Sequence, residues 1–297
     1  MTTSLGKPVD NNGKSINEFM SDVITVINMK GGVGKTTLSV NLAHVLCYEH
    51  DLRVLLVDID PQFNATQYLV KQATILDHFK NRKTVYDILV PNREEEISLT
   101  ATRKPPKDPP VKLADYVIQL ENYDDGSCLH LLPSSLKLIN FEEQAKRGTE
   151  NLLKKFLTTY CGSYEIVIID CPPTLSTLTL SAYLASDYYL IPIKPDYLSS
   201  LGLPLLERGL GDYRDRFGHS ITLLGIVFTM KDNRGTIASE VMRDIRGSGW
   251  NCFDASSSLS VKVARSTKSL HDFYKYASNS RYSDEFKAIA KELLKKI

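Results

Sequence analysis

The chain alternates between short unbroken apolar runs and longer stretches whose apolar residues recur at helical spacing. Residues 23–28, Val-Ile-Thr-Val-Ile-Asn, form a β-branched run of the kind that a sheet buries on both faces. After a glycine-rich turn, Leu38, Leu42, Val45 and Leu46 predict a helix over about 35–48 with one apolar face. Residues 53–58, Arg-Val-Leu-Leu-Val-Asp, read as a second buried strand and complete a βαβ unit. Further strands are expected at 129–132, 165–170, 188–193 and 221–228, with helical stretches between them. This rhythm predicts an α/β fold, a mostly parallel, doubly wound central sheet flanked by helices. A last helix, about 284–296, gathers Phe286, Ile289, Ala290, Leu293 and Leu294 on one face.

The rhythm breaks in two places. The first 20 residues are polar, so 1–21 is read as an extension and 22–297 as a single domain. Residues 91–123 include Lys104-Pro-Pro-Lys-Asp-Pro-Pro110, with four of the 13 prolines, too many for a helix or a central strand. That interval is expected to be a surface excursion within the domain.

Composition changes the picture mainly by exclusion. Lys plus Arg number 36 against 35 for Asp plus Glu, a net charge of +1, so polyanion binding by bulk charge is not expected. Any nucleic-acid surface must be a local patch. The five cysteines, Cys47, Cys128, Cys161, Cys171 and Cys252, form no CxxC pair, which argues against a zinc ribbon or a disulfide framework. No run of about 18 apolar residues suits a transmembrane helix. The first 20 residues lack a signal-peptide core, so a reducing cytoplasm is expected.

Chemistry concentrates at Lys30-Gly-Gly-Val-Gly-Lys-Thr-Thr37, placed between a predicted strand and a predicted helix. Glycines let the backbone curl so that successive N–H groups face phosphate oxygens, and the helix N-terminus adds partial positive charge. Gly31, Gly32, Val33, Gly34 and Thr37 supply this cradle, Lys35 reaches the β and γ phosphates, and the Thr36 hydroxyl can ligate Mg²⁺. The ordinary Walker A pattern asks for glycine where Met29 stands; instead, Lys30 directly precedes two glycines.

At these residues the sequence resembles the ParA/MinD family of P-loop ATPases, whose deviant Walker A motif carries such an extra lysine. The resemblance extends through Val54-Leu-Leu-Val-Asp-Ile-Asp-Pro-Gln-Phe-Asn-Ala-Thr66 and Ile168-Ile-Asp-Cys-Pro-Pro173. It implies ATP and Mg²⁺ as cofactors. It also implies that Lys30 reaches across a homodimer interface to the partner's nucleotide, and that Asp60 orients the attacking water. Asp58 would sit near Mg²⁺ through water, with Asp170 as the Walker B carboxylate. Residues 191–196 and 228–234, including Thr229 and Met230, resemble the loops that flank the adenine.

Three branches of the family then need separating. A reductase branch holding an iron–sulfur cluster needs interface thiolates, and buried inert thiols account better for the five cysteines. A MinD-like membrane branch needs an exposed basic amphipathic helix; residues 285–297 have that pattern, although such a stripe more often packs on the core. The DNA-partition branch needs a basic patch. Residues 261–281 carry Lys262, Arg265, Lys268, Lys275 and Arg281 against the single acid Asp272, and Arg243 and Arg246 lie on a preceding predicted helix. Such residues contact phosphates without reading bases.

Only 22 residues precede Val23, too few for a helix-turn-helix domain, so the short partition class is expected. The resemblance thus implies a nucleoid-associated ATPase that forms an ATP-dependent homodimer on nonspecific double-stranded DNA. A centromere-binding ParB-like adaptor would stimulate slow hydrolysis and so release it. The alternatives are a membrane-associated positioning ATPase and a ParA-like ATPase that positions a cargo other than DNA.

Overall fold

A computed structural model describes residues 21–90, 112–144, 148–266 and 280–297. Among them, eight strands form one sheet in the order β3-β4-β2-β5-β1-β6-β7-β8. In chain order these are β1 Asp22–Val26, β2 Arg53–Asp58, β3 Ile118–Asn122, β4 Cys128–Leu132, β5 Ile166–Asp170, β6 Tyr188–Ile193, β7 Thr222–Lys231 and β8 Cys252–Ser258. Every pairing is parallel except β3 with β4. β1 lies between β5 and β6, while the chain after β1 returns through helix α1, Lys35–His50, to β2 on the far side of β5. Chain direction thus diverges at the carboxyl end of β1, where open α/β sheets bind ligands.

The central strands are buried along nearly their whole length, which their unbroken apolar runs predict. The predicted single apolar face of α1 is corrected by the structure. From Leu38 to Cys47 every residue of α1 is buried, because one side covers the sheet and the last helix of the chain covers the other. That helix, α12, spans Arg281–Leu293 and sends Phe286, Ile289, Ala290 and Leu293 into the cluster that holds Leu38, Leu42 and Val45. Polar positions on α1 are satisfied within it, as where Asn41 Nδ2 donates to the Thr37 carbonyl at 2.7 Å. The expected terminal apolar stripe is therefore core, and the exposed amphipathic face that membrane attachment requires is absent from α12.

Between these lie α2 Asn64–Leu69, α3 Gln72–Lys80, α4 Val85–Leu89, α5 Leu113–Tyr116, α6 Leu138–Gln144, α7 Leu152–Tyr160, α8 Thr177–Ala185, α9 Tyr197–Phe217, α10 Ile237–Gly247 and α11 Val261–Ser266. α4, α7 and α8 cover one face beside β2 and β5, while α8, α9 and α10 close the core over β6 and β7.

The two edge strands are the elements the apolar pattern did not predict. β3 falls inside the expected excursion, so that interval re-enters the sheet at its end; residues 91–111 lie outside the described residues, as does the extension through residue 20. β8 is Ser-rich and carries no apolar run. It is fixed from α12, where Glu285 accepts from Ser258 N and Oγ, both at 2.7 Å, and Glu292 Oε2 accepts from Asp254 N and Ala255 N at 3.0 Å. Carboxylates thus satisfy edge donors that would otherwise invite another strand. Among the described residues, no helix is long and apolar enough to cross a membrane.

Candidate nucleotide site

The turn between β1 and α1 has the shape its glycines predict. Gly32 and Gly34 adopt φ of +70° and +83°, a region costly for residues with a Cβ. At Gly34 an added Cβ would also lie 3.4 Å from Met230 Cε, so the β7 end closes directly on the loop. Thr229 Oγ1 donates to the Val33 carbonyl at 2.6 Å, and Met230 itself has a positive φ of 48°. Both residues thus pack against the phosphate loop. With Gly34, Thr37 and Ser257–Ser260 they line a cleft of about 120 Å³ beside the main cavity.

That main cavity, about 740 Å³, is lined by Gly31, Gly34, Lys35, Thr36, Asp60 and Met230 among others, a size suited to a nucleotide-sized ligand. Lys35 is buried. Its Nζ donates to the Asn28 and Lys30 carbonyls at 3.0 and 3.2 Å, and burial lowers its pKa while Asp170, Cys171 and Asp60 raise it. Thr36 Oγ1 donates to Asp170 Oδ2 at 2.7 Å, and Ser39 Oγ to Oδ1 at 3.1 Å. Asp170 and Asp58 end neighbouring strands in register. Burial pushes the Asp170 carboxyl up to about 6, with the two hydroxyl donors and Lys35 opposing and Asp60 reinforcing. Burial also raises the Asp58 pKa, and its neighbour Asp170 adds to this.

Asp170 and Asp60 both act on Lys35, and Asp58 stands beside Asp170, so carboxylates outnumber the lysine here. No group of His, Cys, Asp and Glu among the described residues could by itself hold a metal ion. Hard oxygen donors without a complete protein cage suit Mg²⁺, which keeps waters and leans on substrate phosphates. Thr36 and Asp170 fit that donor set.

Asp58 stands beside Asp170, and its hydrogen bonds run to the following loop. Its Oδ2 accepts from Thr66 N and Oγ1, both at 2.8 Å, and its Oδ1 from Asp60 N at 3.1 Å, so its oxygens serve the loop that follows β2. Asp60, by contrast, lines the cavity, and its Oδ1 accepts from Gln62 N at 2.9 Å. Ser39, Gln62, Asn64 and Gln67 carry no sequence signal of their own; Gln62 and Asn64 line the cavity from the motif that supplies Asp60, and Gln67 from the residue just after it.

Lys30 is held outside the phosphate loop. Its Nζ lies 2.7 and 2.8 Å from the two Asp196 oxygens and 3.3 Å from Ser199 Oγ. Asp196 is the N-cap of α9, where it also accepts from Ser199 N at 3.0 Å. Beyond that cap, Tyr197, Leu198, Leu201 and Leu205 are 59–70% exposed. Asp196 gave no signal in the sequence beyond its place in a loop.

The predicted basic residues separate into groups. Arg243 and Arg246, on α10, line a cleft of about 550 Å³ together with Lys231. Arg246 is partly committed, since its Nη2 donates to the Phe253 carbonyl at 3.0 Å and its guanidinium lies 5.2 Å from the Phe228 ring centroid. Lys262 and Arg265 are exposed on α11, and Arg281 opens α12 over the Tyr282 ring. Lys268 and Lys275 lie outside the described residues. Of the cysteines, Cys47, Cys161 and Cys171 are buried, and burial pushes their thiols up to about 12. Cys128 and Cys252 are half-buried, contrary to the expectation that all five are buried, though burial raises their pKa as well.

Comparison with known proteins agrees with this geometry. The family model described as AAA domain matches residues 21–223. The chain is 33% identical over 230 residues to sporulation initiation inhibitor protein Soj of Bacillus subtilis (strain 168), covering 76% of this chain and 79% of Soj. It is 30% identical over 276 residues to chromosome partitioning protein ParA of Myxococcus xanthus (strain DK1622), covering 92% and 88%. A solved structure of cobyrinic acid a,c-diamide synthase from Mycobacterium smegmatis, with bound ATP analog and magnesium, is 25% identical. It superposes with a TM-score of 0.68 over 93% of this chain and 95% of that one. With the motifs, the sheet order and these relatives in agreement, the chain belongs to the ParA/MinD family of P-loop ATPases.

Proposed function

We propose that the protein is a Mg²⁺-dependent ATPase of the ParA type that partitions plasmid or chromosomal DNA, acting in the cytoplasm on the nucleoid as a nucleotide-dependent homodimer. One observation carries this reading. The lysine peculiar to this P-loop lies at the cap of α9, and the next turns of α9 display an apolar stripe to solvent. A lysine needed only for its own nucleotide has no reason to stand there. One poised beside an exposed apolar face can cross to a second copy as the two faces close.

In the catalytic cycle, the loop N–H groups of residues 31–37 would hold the phosphates. Lys35 would give up its carbonyl contacts for the β and γ oxygens, and Thr36 would turn its hydroxyl from Asp170 toward the metal. Magnesium, when bound, offsets phosphate charge. Asp60 would align a water with the γ-phosphorus, and Lys30 from the second copy would neutralise charge developing in the transition state. Closure would bring the Arg243 and Arg246 clefts of both copies onto one duplex, gaining avidity from two linked contacts. Contacts of this kind are salt-sensitive and independent of sequence. A ParB-like adaptor would accelerate hydrolysis and so release the dimer, as suits a relative of a chromosome partitioning protein.

ATP-dependent retention on plain duplex DNA and on anionic liposomes tests the choice of surface. Retention on DNA alone, weakened by Arg243→Ala, is expected. Retention on liposomes alone would contradict the DNA reading.

A further inference from the structure

The hydrogen bonds around Asp60 form a closed circuit that the chemistry above does not use. Asp60 N donates to Asp58 Oδ1 at 3.1 Å. Asp58 Oδ2 accepts from Thr66 N and Thr66 Oγ1, both at 2.8 Å. Thr66 Oγ1 in turn accepts from Ser134 N at 3.1 Å. Ser134 Oγ then returns to the start, donating to the Asp60 carbonyl at 2.6 Å. Asp58, Thr66 and Ser134 are fully buried, and only Asp60 touches the cavity.

The circuit joins three separate pieces of chain: the end of β2, the first turns of α2 and the segment that follows β4. It grips Asp60 by both backbone polar groups while leaving its side chain at the cavity wall. The same carbonyl also accepts from Phe63 N at 2.8 Å, closing a tight turn in which Phe63 takes a positive φ of 45°. A carboxylate on such a turn would otherwise move freely with its loop. A buried, fully satisfied polar network fixes one arrangement and makes any partial loss costly.

We propose that Thr66 and Ser134 are positioning residues for Asp60, acting through the Asp58 carboxylate and the Asp60 backbone; this rests on Asp60 orienting the attacking water. Each of them acts without touching nucleotide. Thr66 bridges Asp58 to Ser134, and Ser134 anchors the Asp60 peptide to the segment after β4. Their loss would shift Asp60 by a fraction of an ångström to an ångström, a displacement on the order of 10²-fold in rate for a reaction that depends on alignment. The phosphate loop, which belongs to different chain segments, would keep its grip on ATP.

Thr66→Val, Thr66→Ser and Ser134→Ala are the informative variants in the full chain, each also made in an Asp60→Ala background. ATP affinity is read with a fluorescent ATP analogue, and hydrolysis by steady-state and single-turnover rates. Thr66→Val and Ser134→Ala are expected to lower kcat by roughly ten- to a hundredfold with ATP affinity within about twofold, and Thr66→Ser to restore most of the rate. In the Asp60→Ala background the same changes should alter the residual rate by less than about twofold, the non-additivity of groups acting as one. Ser134→Ala removes a single oxygen, so it carries the test should Thr66→Val fold poorly. Wild-type turnover in both variants would overturn the positioning role. So would an equal loss in the Asp60→Ala background, or a parallel loss of ATP affinity. If Asp60→Ala itself hydrolysed ATP at the wild-type rate, the failure would lie in the Asp60 assignment, and the positioning role would fall with it.

Discussion

Asp170 shows how a single residue sets the electrostatic state of the site. It is fully buried, faces Asp60, and holds Thr36 and Ser39 through its two oxygens. Its carboxyl is raised from 3.8 to about 6 in the folded chain. A raised carboxyl favours the folded state while protonated, so this stability is present below about pH 4 and lost as the pH rises through about 6. At pH 7.5 the charged form therefore costs the nucleotide-free protein stability. Asp170→Asn is therefore expected to melt at a higher temperature than wild type at pH 7.5 without nucleotide, with the difference vanishing near pH 4. Thermal unfolding across that range checks it, and a lower melting temperature at pH 7.5 would contradict it. The same variant should lose Mg²⁺-dependent hydrolysis, since the charge that costs stability is the charge the cation would use. Residue types and spacing pointed to Lys35 and Thr36, while Asp60 and Asp170 were pointed to by the resemblance to the family motifs. The hydrogen-bond partners of Asp58 were not readable, because spacing places a carboxylate at a strand end but does not say which donors its oxygens meet.

Elements carry the next set of consequences, and here the amphipathic pattern both informs and misleads. The central strands and α1 were legible because full burial demands unbroken apolar or tightly spaced apolar residues. β8 was not, because Phe253 is its one large buried apolar side chain and two glutamates on α12 tie it down. Glu285→Ala leaves Ser258 N and Oγ without their charged acceptor and is expected to destabilise the protein by about 1–3 kcal/mol. Chemical denaturation measures this, and a change below about 0.5 kcal/mol would show that β8 is held by other means. α9 makes the opposite case. Leu198 and Leu201 are exposed, so replacing both with serine should leave the folding midpoint nearly unchanged while weakening ATP-dependent dimerisation at least tenfold. Sedimentation with and without ATP separates the two effects. Unchanged dimerisation would remove α9 from the interface.

At the scale of the whole molecule, the fold gathers its chemistry at the carboxyl end of its central strands. β1, β2 and β5 deliver the phosphate loop, Asp60 and Asp170 to the same end, while α9 and the β7 end flank the opening. Doubly wound sheets place ligands there for any function, so fold alone does not separate an ATP-driven switch from a metabolic enzyme. In the proposed function, Lys30 makes that separation. In the single chain its ammonium is paired with Asp196, so entering a second copy's site means exchanging a carboxylate for phosphates. Without a triphosphate the exchange has nothing to offer, so the proposed association would be tied to nucleotide state. Lys30→Ala should thus still bind ATP as a monomer but fail to associate in its presence, as mass measurements at matched concentration would show.

The most direct measurement is the solution mass of Asp60→Ala at saturating ATP and Mg²⁺, since hydrolysis then cannot reset the state. A mass twice that of the nucleotide-free chain, reverting to one chain when Lys30→Ala is added, is the predicted result. A single-chain mass throughout would contradict the central claim that two copies close over nucleotide through an exchanged lysine.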